Sequence, residues 1–177
     1  VNDLHELSMS DNGALVYEKE KIDIKSLLEQ TMEMHQNLVA QNNIKVSIKT
    51  LGLKNKKAIN LFCDPKRLKQ LFDNLLQNTC RYTDEGGELK ITLKEYTDKI
   101  ILTWIDSEPG VSDADLHKLF NRLYRVDSSR NREKGGSGLG LAICKNIVEA
   151  HAGSIKAEHS ELGGLKLIIE LPKRQKS

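Results

Sequence analysis

Behind Asp64-Pro65, apolar residues recur at Leu68, Leu71, Phe72, Leu75, Leu76 and Thr79, the spacing of one face of a helix. An aspartate able to cap, followed by proline at the first helical position, marks the start. The pattern predicts a helix over 65–83, stopped by Asp84-Glu85-Gly86-Gly87. A helix this one-sided holds only when its stripe is covered. The covering surface is legible nearby. Ile44, Val46 and Ile48 alternate with Lys45, Ser47 and Lys49, and Leu89, Ile91 and Leu93 alternate with Lys90, Thr92 and Lys94. Asp98-Lys99 turns the second run into 100–106, an antiparallel hairpin.

The other segments extend this alternation of helix and strand. Residues 1–10 read as the end of a helix stopped at Asp11-Asn12-Gly13. Short strands are expected at 21–24 and 58–63. Ser26-Leu27-Leu28-Glu29 fits a capping box for a helix over 26–41, with Leu27, Thr31, Met34 and Leu38 as its stripe and Asn42-Asn43 at its end. A second box, Ser112-Asp113-Ala114-Asp115, opens a helix to Phe120. A polar, arginine-rich stretch over 121–136 follows, then a helix over 138–151 ending at Gly153. Strands at 154–159 and 165–171 close the chain around a turn at Gly163-Gly164. The expected architecture is α+β, two layers, with a mixed, mostly antiparallel sheet and helices on one face.

Composition narrows the function. With 177 residues there is room for one domain and a good core. The 27 basic and 25 acidic residues nearly balance, which argues against nucleic-acid binding as the main activity. No apolar run approaches the roughly 20 residues that span a bilayer, and no signal peptide is visible. The opening Val1-Asn2-Asp3-Leu4 lacks an initiator Met, so an excised fragment is expected, with any membrane segment outside it. Cys63, Cys80 and Cys144 are few, scattered and set in apolar runs, as for reduced core thiols in a reducing compartment. The five histidines fall singly, without zinc-ligand spacing.

Three segments bear chemistry. Asn74 and Asn78 lie one helical turn apart at the rim of the apolar stripe, and Arg81 and Tyr82 share that rim. Such a rim is ordinarily a solvated helix edge, but it could also floor a site for a charged, aromatic ligand. Gly135-Gly136-Ser137-Gly138-Leu139-Gly140-Leu141 opens a helix, and backbone N–H groups there suit an anion. The segment is neither a P-loop nor a dinucleotide fingerprint, because the glycine spacing and context are wrong for both. The basic stretch before it favours phosphate. Asp106 ends a strand and precedes the turn Ser107-Glu108-Pro109-Gly110. It is either a turn residue bonding its own backbone or an acceptor for a purine amine.

Taken in order, these segments resemble the ATP-binding domain of sensor histidine kinases, in the gyrase, Hsp90, histidine kinase and MutL superfamily. Asn74-Leu75-Leu76-Gln77-Asn78-Thr79-Cys80-Arg81-Tyr82-Thr83 is similar to the N box, and Asp106-Ser107-Glu108-Pro109-Gly110 to the G1 box. Leu119-Phe120-Asn121-Arg122-Leu123-Tyr124-Arg125 resembles the F box, and Gly136-Ser137-Gly138-Leu139-Gly140-Leu141 the G2 box. The resemblance covers residues 22–172 and implies the Bergerat fold.

It also implies roles. Asn78 would hold Mg²⁺ bridging the ATP phosphates, with Asn74 a turn away. Arg81 would reach the phosphates, and Tyr82 would lie near the nucleotide. Asp106 would accept from the adenine amine, and Gly110 would let the backbone approach the base. Residues 121–136 would form a lid lined by Tyr124 and Arg125. Gly136, Ser137, Gly138, Leu139, Gly140 and Leu141 would cradle the phosphates. Asn74, Asn78 and Arg81 would be the catalytic set. Asn74 stands where superfamily ATPases carry a glutamate, and an amide cannot take a proton from water. ATP would then serve transfer to a histidine, and from there to a response-regulator aspartate. The alternatives are an ATPase or a serine-directed kinase of the same superfamily.

Two departures from the family pattern are expected to matter. Ser107 replaces a glycine, which puts the G1 turn geometry in question, and Leu123 replaces a phenylalanine, which would loosen the lid. His5-Glu6-Leu7 lacks the Thr-Pro-Leu continuation of a phosphoacceptor motif and reads as an exposed helical histidine. The implied division is 1–15 as the end of a dimerisation hairpin and linker, 16–172 as the catalytic domain, and 173–177 as a basic, frayed tail. The implied partners are the histidine hairpin of a homodimeric kinase and a response regulator. The implied location is the cytoplasmic side of a bacterial inner-membrane protein.

Overall fold

The computed structural model describes residues 2–53, 58–126 and 135–174. In order, these form α1 (Asn2–Asp11), β1 (Glu20–Asp23), α2 (Ile24–Met34), α3 (Gln36–Gln41), β2 (Lys45–Leu51), β3 (Asn60–Cys63), α4 (Pro65–Tyr82), β4 (Glu88–Glu95), β5 (Lys99–Ser107), α5 (Asp113–Leu116), α6 (Gly140–Ala150), β6 (Ser154–His159) and β7 (Gly163–Pro172). Five strands make a sheet in the order β2-β4-β5-β7-β6, and β1 and β3 form a separate antiparallel pair. Within the five, β2 runs parallel to β4 and every other pairing is antiparallel. This is the mixed α+β sheet that the alternation patterns predict.

The core lies between the sheet and the helices. Leu89, Ile91 and Leu93 of β4, Ile100, Leu102 and Trp104 of β5, and Leu165, Leu167, Ile169 and Leu171 of β7 are buried. They join one cluster with Leu68, Leu71, Phe72, Leu75 and Leu76 of α4 and Ile143, Ile147 and Val148 of α6. Full burial of each such side chain contributes about 1.5–3 kcal/mol. The helix start is as expected: Asp64 caps α4 by accepting from the Lys66 and Arg67 N–H groups at 3.0 and 3.1 Å, with Pro65 in the first turn. Cys63, Cys80 and Cys144 are free and buried. Burial pushes their thiols up, to about 12 for Cys63 and about 11 for Cys80.

Local expectations needed correction in three places. The predicted helix over 26–41 is two helices that break at His35, whose Nε2 lies 2.7 Å from Asp73 Oδ1 on α4. Its cap is Asp23 rather than Ser26, which instead donates to Asp23 Oδ2 at 2.7 Å. The buried stripe is therefore Ile24, Leu28, Thr31 and Met32, and Met34 faces solvent. The second box does cap, with Ser112 Oγ accepting from the Asp115 N–H, but α5 stops at Leu116 and turns carry the chain to Phe120. The last hairpin turns at 160–162, so Gly163 and Gly164 belong to β7. Most of the expected lid, 127–134, and the end of the tail, 175–177, lie outside the described residues.

The first helix is part of this body. Leu7 is 1% exposed and belongs to the main core cluster, and α1 packs on α6. Glu6 receives hydrogen bonds from Arg67 at 2.5 Å and from Gln70 at 3.0 Å, both on α4. His5 is exposed.

Candidate functional site

A cavity of about 340 Å³ opens between α4, the end of β5, the start of α6 and the stretch after α5. That volume suits a small molecule. From α4 it is lined by Asn74, Gln77, Asn78, Arg81 and Tyr82, which helical spacing puts on one face. Asn74 and Asn78 are half-buried beside the covered stripe, at the rim where helix geometry places them. The Nδ2 of Asn74 is buried and has no hydrogen-bond partner. A buried donor left without an acceptor costs about 1–3 kcal/mol. Asn74 lines the cavity, while this atom of it is closed off from the open space.

The facing wall is glycine-rich backbone. Gly136 has φ +117°, and a Cβ there would lie 2.8 Å from Arg81 Nη1. The guanidinium of α4 thus lies against the turn before α6. Gly138 has φ +70°, and a Cβ on it would lie 3.0 Å from the Leu123 carbonyl carbon. The Leu123 N–H donates to Gly138 O at 3.0 Å. Leu123 itself has φ +60° and is 65% exposed, so it holds the turn through backbone rather than through its side chain. Ser137 Oγ accepts from the Leu139 N–H at 3.2 Å, and the cap residue Leu139 makes no side-chain bond to the first turn of α6. The N–H groups at that helix start, near Ser137, Gly138, Gly140 and Leu141 in the wall, offer an anion a matched partner. Leu139 points into the core, and Gly136 stands behind Arg81 rather than in the wall.

Asp106 closes one end of the cavity. A bulge in the β5–β7 register falls between Ile105 and Ser107, and both Ile105 and Asp106 are buried. Asp106 Oδ1 accepts from the Leu165 N–H at 2.7 Å, and Oδ2 accepts from the Thr79 hydroxyl at 3.2 Å. Burial pushes its carboxyl up to about 6, against the pull of these two bonds and of the nearby Thr83 hydroxyl. Gly164 makes the approach possible, since a Cβ there would lie 2.2 Å from Ser107 O and 2.4 Å from Asp106 Oδ1. Gly110, with φ +67°, meets Gly163 O in the same way at 2.7 Å. Ser107 needs no left-handed backbone. It stays in β5 and accepts the Glu88 N–H at 2.8 Å, so the serine fits the turn.

The last wall carries Tyr124 and Arg125. The Tyr124 hydroxyl donates to Asp115, and Arg125 Nη2 lies 3.4 Å from Gly135 O. Val111, Leu119 and Leu165 add an apolar slot beside Asp106. The cavity can therefore take a ligand with an anionic end at the glycine wall and a flat, amine-bearing end at Asp106.

Sequence reasoning missed several lining residues. Gln77 was within reach, being three residues from Asn74. The apolar slot combines Val111, Leu119 and Leu165 from three separate segments, and no local pattern signals it. Asp3 also lines the cavity, its Oδ2 3.5 Å from Ser137 Oγ. It arrives only because α1 docks on α6.

Comparison with known proteins shows the family and the fold. A family model described as "Histidine kinase-, DNA gyrase B-, and HSP90-like ATPase" matches residues 63–175. The signal transduction histidine-protein kinase BaeS of Escherichia coli (strain K12) is 50% identical over 172 residues, 97% of this chain. The chain spans 36% of the length of that relative. The nucleotide-free catalytic domain of the histidine kinase ThkA superimposes with a TM-score of 0.76 at 27% identity, covering 88% of this chain and 96% of that one. ThkA in complex with the response regulator TrrA shares the fold at a TM-score of 0.74 and 24% identity, covering 98% of this chain and 49% of that one.

Proposed function

The chain belongs to the histidine kinase-, DNA gyrase B- and HSP90-like ATPases, as a catalytic domain of the sensor histidine kinase kind, and from that premise we propose that its cavity binds Mg-ATP and directs the γ-phosphoryl group to a histidine on a dimerisation hairpin. The observation that carries this reading is the cavity itself, where Asn74, Asn78 and Arg81 of α4 face the glycine-rich start of α6, with Asp106 at one end.

The side chains fit the ligand from end to end. Asp106 accepts from the adenine amine, with Gly110 and Gly164 clearing space around it. Tyr82 and Tyr124 flank the nucleotide. Arg81 and Arg125 meet phosphate, and Ser137, Gly138, Gly140 and Leu141 offer N–H groups, with Gly136 and Leu139 setting the turn. Asn78 presents an amide oxygen to magnesium, one turn from Asn74. Among the described residues no group of three or more His, Cys, Asp or Glu could hold a metal ion, so phosphates would supply most of the ligands. Magnesium supplies charge neutralisation when bound. The chain's own residues do the positioning on which phosphoryl transfer depends. Asn74 has no basicity to lend to water, which favours transfer over hydrolysis.

In this reading α1 and the linker to residue 15 are the end of a dimerisation hairpin, residues 16–172 are the catalytic unit, and 173–177 are a tail. His5 is exposed but outside any acceptor motif, so the acceptor histidine lies on the hairpin of the intact, homodimeric kinase. The phosphoryl group then passes to a response-regulator aspartate, a partnership supported by the ThkA–TrrA complex. No helix among the described residues is long and apolar enough to cross a membrane. The intact kinase is proposed to be anchored in a bacterial inner membrane through another segment, with this domain on the cytoplasmic side.

The test is calorimetry with magnesium and a non-hydrolysable ATP analogue. It should be followed by incubation with Mg-ATP and a separately supplied histidine hairpin, assayed for acid-labile phosphate. Binding and labelling are expected. No binding at millimolar nucleotide would remove the proposal.

A further inference from the structure

Thr79 is buried at 1% exposure and follows Asn78 on α4, turned from the cavity toward the sheet. Its hydroxyl is used twice. It accepts from Trp104 Nε1 at 2.9 Å and donates to Asp106 Oδ2 at 3.2 Å. An indole N–H can only donate, so Thr79 must accept there, and its single hydrogen is left for Asp106. The direction of the relay is fixed: Trp104 to Thr79 to Asp106. On the other side, Asp106 Oδ1 meets the Leu165 backbone N–H at 2.7 Å, which also only donates.

A proton placed on either carboxylate oxygen would face a donor. On Oδ2 it would make Thr79 accept twice and strand that hydroxyl's hydrogen. The relay thus favours the ionised carboxylate and fixes the plane of the group, leaving its remaining lone pairs for the cavity.

We infer that Thr79 is a positioning residue which, oriented by Trp104, sets the direction and charge of Asp106 and so the preference of the cavity for a purine bearing an amine where guanine has a carbonyl. The inference rests on the nucleotide-site reading above.

The surroundings of Asp106 are simple enough to isolate the effect. It is faced by Thr79 from α4 and by Thr83, the residue after that helix, whose hydroxyl makes no hydrogen bond of ordinary geometry. From β7 it meets Leu165 N–H and the Gly164 backbone, and Ser160 Oγ donates only to its main-chain carbonyl, at 2.8 Å. Among the described residues no ionised side chain acts on it. Burial raises its carboxyl, while Leu165, Thr79 and Thr83, in that order, lower it.

The test compares Thr79→Val, which keeps shape without the hydroxyl, with Thr79→Ser, which keeps the hydroxyl. The Asp106 carboxyl is titrated by carbon-detected NMR in the nucleotide-free chain, and affinities for ATP and GTP are measured at neutral pH. Thr79→Val should raise the Asp106 midpoint by about one pH unit and lower the ATP-over-GTP preference about tenfold, the equivalent of one unit. Thr79→Ser should restore both. An Asp106 midpoint unmoved in Thr79→Val overturns the inference, whatever happens to affinity. Should the valine variant not fold, Thr79→Ala carries the same reading. If the parent chain binds no nucleotide, the proposed function fails while the titration still decides whether Thr79 governs Asp106.

Discussion

His151 Nε2 accepts the backbone N–H of Asp64 at 3.0 Å, a bond that joins the C-terminal end of α6 to the N-terminal cap of α4. The two helices run in opposite senses and are tied at the ends remote from the cavity. The tautomer follows from the partners. Nδ1 must donate to Ile147 O, 2.7 Å away, because Nε2 is committed as acceptor.

The tie should make stability depend on pH. Burial holds His151 below the usual histidine range, so the folded chain keeps it neutral where the unfolded chain takes a proton. Its contribution is then complete above the ordinary value of about 6.5 and declines as pH falls below that, by about 1.4 kcal/mol per unit of depression. Urea unfolding between pH 7.5 and 5 should show this loss in the parent chain. A His151→Gln variant should lack it, and equal pH profiles for the two would dismiss the idea.

Asp106 predicts a pH effect of the opposite sign on stability and a separate one on binding. Its raised carboxyl, at about 6, favours the folded state as pH drops from there toward the ordinary value near 4. Adenine binding needs the ionised acceptor, so affinity for ADP should fall about tenfold between pH 7 and pH 5. Asp106→Asn should flatten that profile, weaken ATP and blur adenine against guanine. An unchanged base preference would take Asp106 out of the base site.

Asn78→Asp puts a carboxylate where phosphate oxygens are proposed to lie. Like charges brought together at a closed interface cost several kcal/mol. Nucleotide affinity or phosphoryl transfer should fall by about tenfold or more, with far-ultraviolet circular dichroism unchanged. Retention of both at the parental level would speak against a metal or phosphate role.

Gly164→Ala tests the backbone approach behind Asp106. The added methyl has no room beside Ser107 O, Asp106 Oδ1 and Asp106 O, the last two of which are held by bonds from the Leu165 N–H and Ser160 Oγ. Overpacking of this kind costs about 1–3 kcal/mol. The midpoint of urea unfolding should drop accordingly, and nucleotide affinity should drop with it as Asp106 is displaced. A variant as stable as the parent would show that the strand can slide aside.

Much of this was legible in the residues because local chemistry and global fold agree. Asp64-Pro65 began α4 where capping chemistry says it should, and the rim of Asn74, Asn78, Arg81 and Tyr82 faces one cavity. What escaped was decided at long range. Asp23 outcompetes Ser26 as a cap because it also accepts from Ile59 N–H, 36 residues away, at 3.0 Å. Thr79 reads as part of an apolar arc, and only the approach of Trp104 and Asp106 reveals a use for its hydroxyl. Asp3 gave no local sign at all, since it reaches the cavity through the burial of Leu7.

α4 lies on the connection between β2 and β4, after β3, and those two strands run parallel and side by side in the sheet. The helix is bounded by the β1–β3 pair before it and by β4 after it, so displacing the amide wall would strain a strand pairing at either end. In the nucleotide-site reading, admitting or freeing the ligand would fall to the opposite jaw, where Tyr124 and Arg125 line the cavity. The division has a kinetic meaning. Substitutions on α4 should be felt in which base is chosen, whereas substitutions on the opposite jaw should be felt in how long a chosen molecule stays.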